Sequence, residues 1–233
     1  MKTQREGGGR AVVRGAISKS GLSKPLVLTG QVVYTDSGLS RGYIIATDPE
    51  AGKPVKIELV QDGTQAYMRS TSFGTLPDGK EWMGIDYSLG DELDTSVPAN
   101  GDVMGELALL EMVTGGVEKV GTEKVRGVPT TRYRGRVSVA ENAKRLREMG
   151  GEETAALVEQ EGTPLQVEAW IDAKGLIRRM RIVQSRPEEE GEGMITTDMT
   201  IDFTDFGLEP EIEVPDSSEV FDTTSLVQEQ IDG

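Results

Sequence analysis

The stretch Leu26-Val27-Leu28-Thr29-Gly30-Gln31-Val32-Val33-Tyr34 is followed by Asp36-Ser37-Gly38 and then by Gly42 to Thr47. β-Branched and aromatic residues fill both flanks, and the Asp-Ser-Gly between them supplies a turn, so the stretch reads as a β-hairpin. Outward from it the two-residue period continues. Val55 to Gln61 alternates Val55, Ile57 and Leu59 against Lys56 and Glu58. Asp62-Gly63 is a tight hairpin turn into Ala66 to Ser70, and Asp78-Gly79 precedes a strand over Glu81 to Asp86. The first third is an antiparallel meander of about five strands.

Before the meander, Met1 to Gly9 is polar and Gly-rich, and is expected to be a flexible tether. Arg10 to Ser18 places Val13, Ala16 and Ile17 three or four apart, the pattern of a short helix. After it, Leu89 to Asp102 is broken by Gly90, Pro98 and Asn100-Gly101. Met104 to Val113 carries Leu107, Leu110 and Met112 as a second short helix, with Gly115-Gly116 in the place of a C-cap. Strands are expected over Val117 to Val125 and Thr130 to Val137. Val139, Ala143, Leu146 and Met149 then give one apolar helical face, and the helical pattern resumes from Glu152 to Gln160 after Gly150-Gly151. Leu165 to Asp172, Leu176 to Gln184 and Met194 to Phe206 are three more strands, and the acidic, Pro-punctuated tail from Gly207 is extended. The sum is one α+β domain over residues 10–233, built on a single antiparallel sheet of about ten or eleven strands. Its few helices cannot tile so wide a sheet, so the sheet either closes or curls around them and leaves an apolar cleft.

Composition excludes more than it suggests. The net charge is −15, from 25 basic and 40 acidic residues, which opposes binding to nucleic acid and to anionic bilayers. The absence of His and Cys removes Ser-His-Asp and Cys-His catalysis, His/Cys metal sites and disulfides. No cofactor and no metal site is expected, and the chain reads as a non-enzyme. Asp36-Ser37-Gly38 copies one half of an aspartic-protease dyad, but Asp94-Thr95-Ser96 lacks the Gly of a second half, so the turn reading stands.

Arg132, Arg134 and Arg136 share one face of their strand, opposite Thr131, Tyr133, Gly135 and Val137; they are expected to pair with acidic neighbours such as Asp198 and Asp202, and Arg178, Arg179 and Arg181 likewise. Asp198, Asp202 and Asp205 lack the loop spacing that wraps Ca²⁺. Glu188 to Glu192 reads as a solvated hairpin loop. Nine methionines include Met104, Met112, Met149, Met180 and Met199 on or near apolar faces, where Met adapts to irregular space.

Several segments then resemble a known family. Met68-Arg69 with Gly79-Lys80-Glu81-Trp82-Met83-Gly84-Ile85-Asp86, the Leu107-Ala108-Leu109-Leu110 helix before Gly116 to Gly121, Val125-Arg126-Gly127-Val128-Pro129-Thr130-Thr131-Arg132-Tyr133, and Trp170-Ile171-Asp172 with Gly175-Leu176-Ile177-Arg178-Arg179 occur in one order across Leu26 to Asp222. Together they resemble actinobacterial lipoproteins of the LppX/LprG type, which have a LolA/LolB-like fold. The resemblance implies a half-barrel with helices on its concave side and, between them, space that holds acyl chains of lipids or lipoproteins. It implies a carrier outside the cytoplasm, held at the cell membrane by an N-terminal lipid; the family's signal peptide and lipid-attachment Cys are not in this sequence. The cleft is expected to be lined by Met104, Leu107, Leu110, Leu146, Met149 and Leu157 from the helices, and by Tyr133, Val167, Ile171, Met199 and Ile201 from the strands. Trp170 is expected on the opposite face from Val167, Ala169 and Ile171. The alternative is an envelope sensor or scaffold that binds a protein partner, since regulatory domains that hold anti-sigma factors use a similar half-barrel.

Overall fold

The computed structural model describes residues 7–19, 22–48, 52–86, 110, 113–148, 152–188 and 193–224. Twelve strands form one sheet: β1 Gly9–Ser18, β2 Leu26–Tyr34, β3 Ser40–Thr47, β4 Val55–Asp62, β5 Gln65–Arg69, β6 Trp82–Asp86, β7 Thr114–Val125, β8 Val128–Val137, β9 Leu165–Asp172, β10 Ile177–Pro187, β11 Met194–Thr204 and β12 Val220–Asp222. Their spatial order is β12-β6-β5-β4-β3-β2-β1-β11-β10-β9-β8-β7. The sheet is open and curved, and every pairing is antiparallel except that of β12 with β6. Two consecutive meanders, β2 to β6 and β7 to β11, are joined side by side through β1.

That joint corrects the helix expected over Arg10 to Ser18. β1 lies at the centre of the sheet, paired with β2 on one side and β11 on the other. Its 9, 11, 13 row meets Phe203 and Ile201 of β11, while Val12 lies opposite Asp202. Small apolar residues on both faces hide the two-residue period, and β pairing on both flanks outweighs a weak helical pattern. The strand takes in Gly9, and the Gly8 carbonyl accepts a hydrogen bond from Gly207 N at 2.9 Å. The last part of the expected tether is therefore built into the sheet.

The turns follow their sequence signals. Gly38 and Gly63 take positive φ, and Thr35 N closes the first hairpin on the Leu39 carbonyl. Gly115-Gly116 is not a C-cap: both residues lie inside β7. The helix expected over Met104 to Val113 falls outside the described residues except for Leu110 and Val113. Two helices, α1 Val139–Glu148 and α2 Glu152–Glu161, fill the long β8–β9 connection. Ser138 caps α1 by accepting from Glu141 N, and Glu141 stands three residues after it as in a capping box.

The core lies on one face of the central strands. Ala11, Val13, Val32, Val137, Leu165, Val167, Ile177, Met180, Ile182, Met199, Ile201 and Phe203 form one buried cluster, with Leu110, Val113, Ile171 and Phe206 packed against it. Each large member contributes about 1.5–3 kcal/mol by leaving water. Ala143, Leu146, Ala155 and Val158 form a separate cluster that holds α1 to α2.

Candidate functional site

The two faces of the sheet differ in chemistry. On the apolar face, five described members of the predicted lining come together: Val167, Met199 and Ile201 are buried in the core cluster, and Leu110 and Ile171 pack against it. Tyr133 is in register with Ala169 on the same face and is half-buried. Leu146 belongs instead to the helical cluster. Met104, Leu107 and Met149, and the side chain of Leu157, lie outside the described residues.

Around the core the face changes. Val167 and Ile201 keep only 1% and 2% of their surface. Across the first meander, Leu28, Ala46, Ile57, Met68 and Met83 share the same face and are only partly covered. The strip continues the core laterally: Gly15 links Met199 to Leu28, and Leu59 links Gly42 to Met68. Sequence reasoning missed these positions as site residues. Their alternation was visible, and it served there to place strands rather than to mark a surface.

The opposite face carries a lattice of guanidinium and carboxylate groups. Asp202 is 1% exposed; it accepts from Arg179 at 2.6 and 3.1 Å, from Arg14 at 3.2 Å and from Arg126 at 3.4 Å. Glu168 accepts from Arg132 through both oxygens at 2.7 Å and from Arg134 at 2.9 Å. Arg181 binds Asp198 in a fork at 2.6 and 2.8 Å, and Arg178 meets Asp172 at 2.7 Å. Pairing was expected, but its partners differ: Arg132 and Arg134 bind Glu168, not Asp198 or Asp202. Partner choice depends on cross-strand register, which places Arg134 opposite Glu168 and Arg179 opposite Asp202.

Burial pushes the Asp202 and Glu168 carboxyls up, but the facing arginines outweigh it and hold both below the usual carboxylate range. Both tryptophans lie on this face under guanidinium groups. Arg69 stacks on Trp82 at 4.5 Å, and Arg132 and Arg179 flank Trp170 at 5.0 and 5.8 Å. Trp170 Nε1 donates to Glu123 at 2.6 Å. Trp170 thus stands opposite Val167, Ala169 and Ile171, as its alternation implied.

The carboxylates and guanidinium groups of this face hold one another. Among the described residues no group of three or more Asp and Glu is placed to hold a metal ion. Among the same residues no helix is long and apolar enough to cross a membrane.

No protein-family model matches the chain. It is 28% identical over 250 aligned residues, covering 97% of the chain and 78% of the relative, to an uncharacterized 31.2 kDa protein of Streptomyces griseus from the rplA-rplJ intergenic region. Among solved structures it is similar to LprF from Mycobacterium bovis, with 13% identity, 92% of this chain and 97% of that one covered, and a TM-score of 0.45. The lipoprotein LppX of Mycobacterium tuberculosis is similar at 15% identity, with 87% and 89% covered and a TM-score of 0.41. A LolA superfamily protein from Nitrosomonas europaea matches at 10% identity, 88% and 87% covered, with a TM-score of 0.33. The open curved sheet itself stands on the strand pairing given above; these likenesses add no ligand or partner to it.

Proposed function

We propose that the chain is a non-catalytic carrier that holds an acyl chain of a lipid or of an acylated protein against the apolar face of its sheet. One observation carries the reading: the apolar face is wider than its cover. Val137, Val167, Met180, Met199 and Ile201 of β8 to β11 are sealed into a core, whereas the strip Leu28, Ala46, Ile57, Met68 and Met83 stays partly open to the same side. An alkyl chain laid there gains about 0.8 kcal/mol for each methylene removed from water, with no need for a polar motif. Val167, Met199 and Ile201, sealed in the core, border this surface, with Leu110, Ile171 and the half-buried Tyr133 on the same face; Leu146 packs between the two helices instead, and Met104, Leu107, Met149 and Leu157 are the proposed helical side. Catalysis is not part of the reading, since the chain has neither His nor Cys and the buried acids of the charged face are taken up by arginines.

The proposed setting is the cell envelope, outside the cytoplasm, with attachment through an N-terminal lipid, because a net charge of −15 opposes adsorption to anionic bilayers. Organic extraction of the protein purified from an envelope fraction, followed by mass spectrometry, tests the carrier reading. A stoichiometric acyl lipid supports it. A lipid-free protein that captures no lipid from mixed vesicles, but binds an envelope protein through the same strip, would replace it with the scaffold reading.

A further inference from the structure

At one end of the first meander, on the same face as the open strip, runs a row of polar side chains. Tyr34 of β2, Ser40 of β3 and Gln61 of β4 stand in register on three adjacent strands, on the apolar face. All three are buried, at 2%, 5% and 9% of their surface, and Tyr34 is a member of the core cluster. The row ends at Ala66 and then Ile85, beside the partly open Met68 and Met83.

Gln61 uses one of its two polar side-chain atoms and leaves the other without a partner. Its Nε2 donates to the Gly63 carbonyl at 2.7 Å, while Oε1 is buried with no partner. Turning the amide over does not relieve this, because it would set Oε1 against the Gly63 carbonyl, oxygen to oxygen. A buried acceptor left empty is a standing cost, and a side chain of this size is readily replaced by an apolar one. The position therefore points to a donor that arrives from outside the chain.

We infer that Gln61 Oε1 accepts a hydrogen bond from a hydroxyl of the bound amphiphile, so that the carrier prefers acyl chains bearing a glycerol or sugar hydroxyl over chains without a donor. This rests on the carrier reading and deepens it. Position fits the role: an acyl chain on Met68 and Met83 has its polar end within the reach of the adjacent row. An ester carbonyl or an ionised carboxylate brings no donor and leaves Oε1 empty. Ser40 places one more hydroxyl in the same row, whereas the Tyr34 hydroxyl lies over Gly9 of β1.

The test compares 1-monopalmitoylglycerol with methyl palmitate by displacement of a fluorescent fatty-acid probe, on the wild-type protein and on Gln61→Met, which keeps shape and removes the acceptor. Wild type should bind the monoacylglycerol five- to tenfold more tightly, about one neutral hydrogen bond. Gln61→Met should bring that ratio close to one and leave methyl palmitate affinity as it was. Because the readout is a ratio within each protein, a loss of stability in the variant does not mimic it. A wild-type ratio near one, as a retained water on Oε1 would produce, overturns the inference and leaves the carrier reading standing; so does a preference that survives in Gln61→Met. Failure of both ligands to bind wild type overturns the carrier reading itself, and the inference with it.

Discussion

Replacing Asp202 by Ala should be among the most damaging single changes on the charged face. The carboxylate is 1% exposed and serves Arg179, Arg14 and Arg126 at once. Removing one partner of a fully buried ion pair costs about 3–5 kcal/mol. Here the abandoned guanidinium groups are 28–51% exposed and regain water, which lowers the expectation to about 2–4 kcal/mol. In a chain of this length that is a fall in Tm of roughly 6–12 °C. Asp198→Ala is the matched comparison: its carboxylate is 38% exposed and has Arg181 as its partner, so the loss should be about 1 kcal/mol or less. Urea unfolding at neutral pH, repeated at low and high salt, measures both. Salt should erode the Asp198 effect and leave most of the Asp202 effect, since buried pairs are screened less. If Asp202→Ala costs no more than Asp198→Ala, the arginines are not held by Asp202 and the lattice is decoration.

Two further expectations use other parts of the fold. Stability should be nearly level between about pH 5.5 and 9, because no histidine is present to titrate there. On the acid side, Glu58, lowered to about 2 by Arg69 and Lys56, and the depressed Asp202, Glu168 and Asp198 contribute stability above about pH 4 that is lost as pH falls through their folded values. On the alkaline side, burial raises the Tyr34 phenol to about 12, so its contribution is complete below about pH 10 and is lost as pH rises toward 12. A step in the urea midpoint near pH 6–7 contradicts this. Met199→Trp and Met68→Trp separate sealed from open surface: Met199 is hemmed in by Gly15, where even a Cβ would stand 3.0 Å from Met199 Cγ, so added bulk should cost about 1–3 kcal/mol. Met68→Trp should leave the unfolding midpoint within error and weaken binding of the fatty-acid probe; the reverse pattern places the open surface at the wrong end of the sheet.

How much of this was legible depended on whether the two faces of a strand differed. β2 and β9 were read to the residue, because Val32 and Tyr34, or Val167 and Ala169, alternate with visibly different neighbours. β1 was not, because a central strand with Val12 and Ala16 on its charged face carries no clean alternation. β12 was missed for a different reason: three residues gain a partner only when the tail returns to β6, about 140 positions away, and nothing local announces that. The arginines announced an ionic face, but which acid each would meet required the register. The same holds for Tyr34, Ser40 and Gln61, whose common row exists only after two hairpins have set their offsets.

The lattice on the charged face has a mechanical meaning. Arg179 and Arg181 on β10 grip Asp202 and Asp198 on β11, Arg14 ties β1 to that same Asp202, and Arg132 and Arg134 fasten β8 to Glu168 on β9. Such ties resist sliding of one strand along the next, since a slip of one residue would turn the guanidinium groups into the hydrocarbon side. They resist rolling of neighbouring strands about their long axes much less, because long flexible side chains follow a change of tilt. The sheet is therefore held more firmly against sliding of its strands than against a change of its curvature. Such a sheet can tighten or flatten its curve while its strand pairing stays fixed.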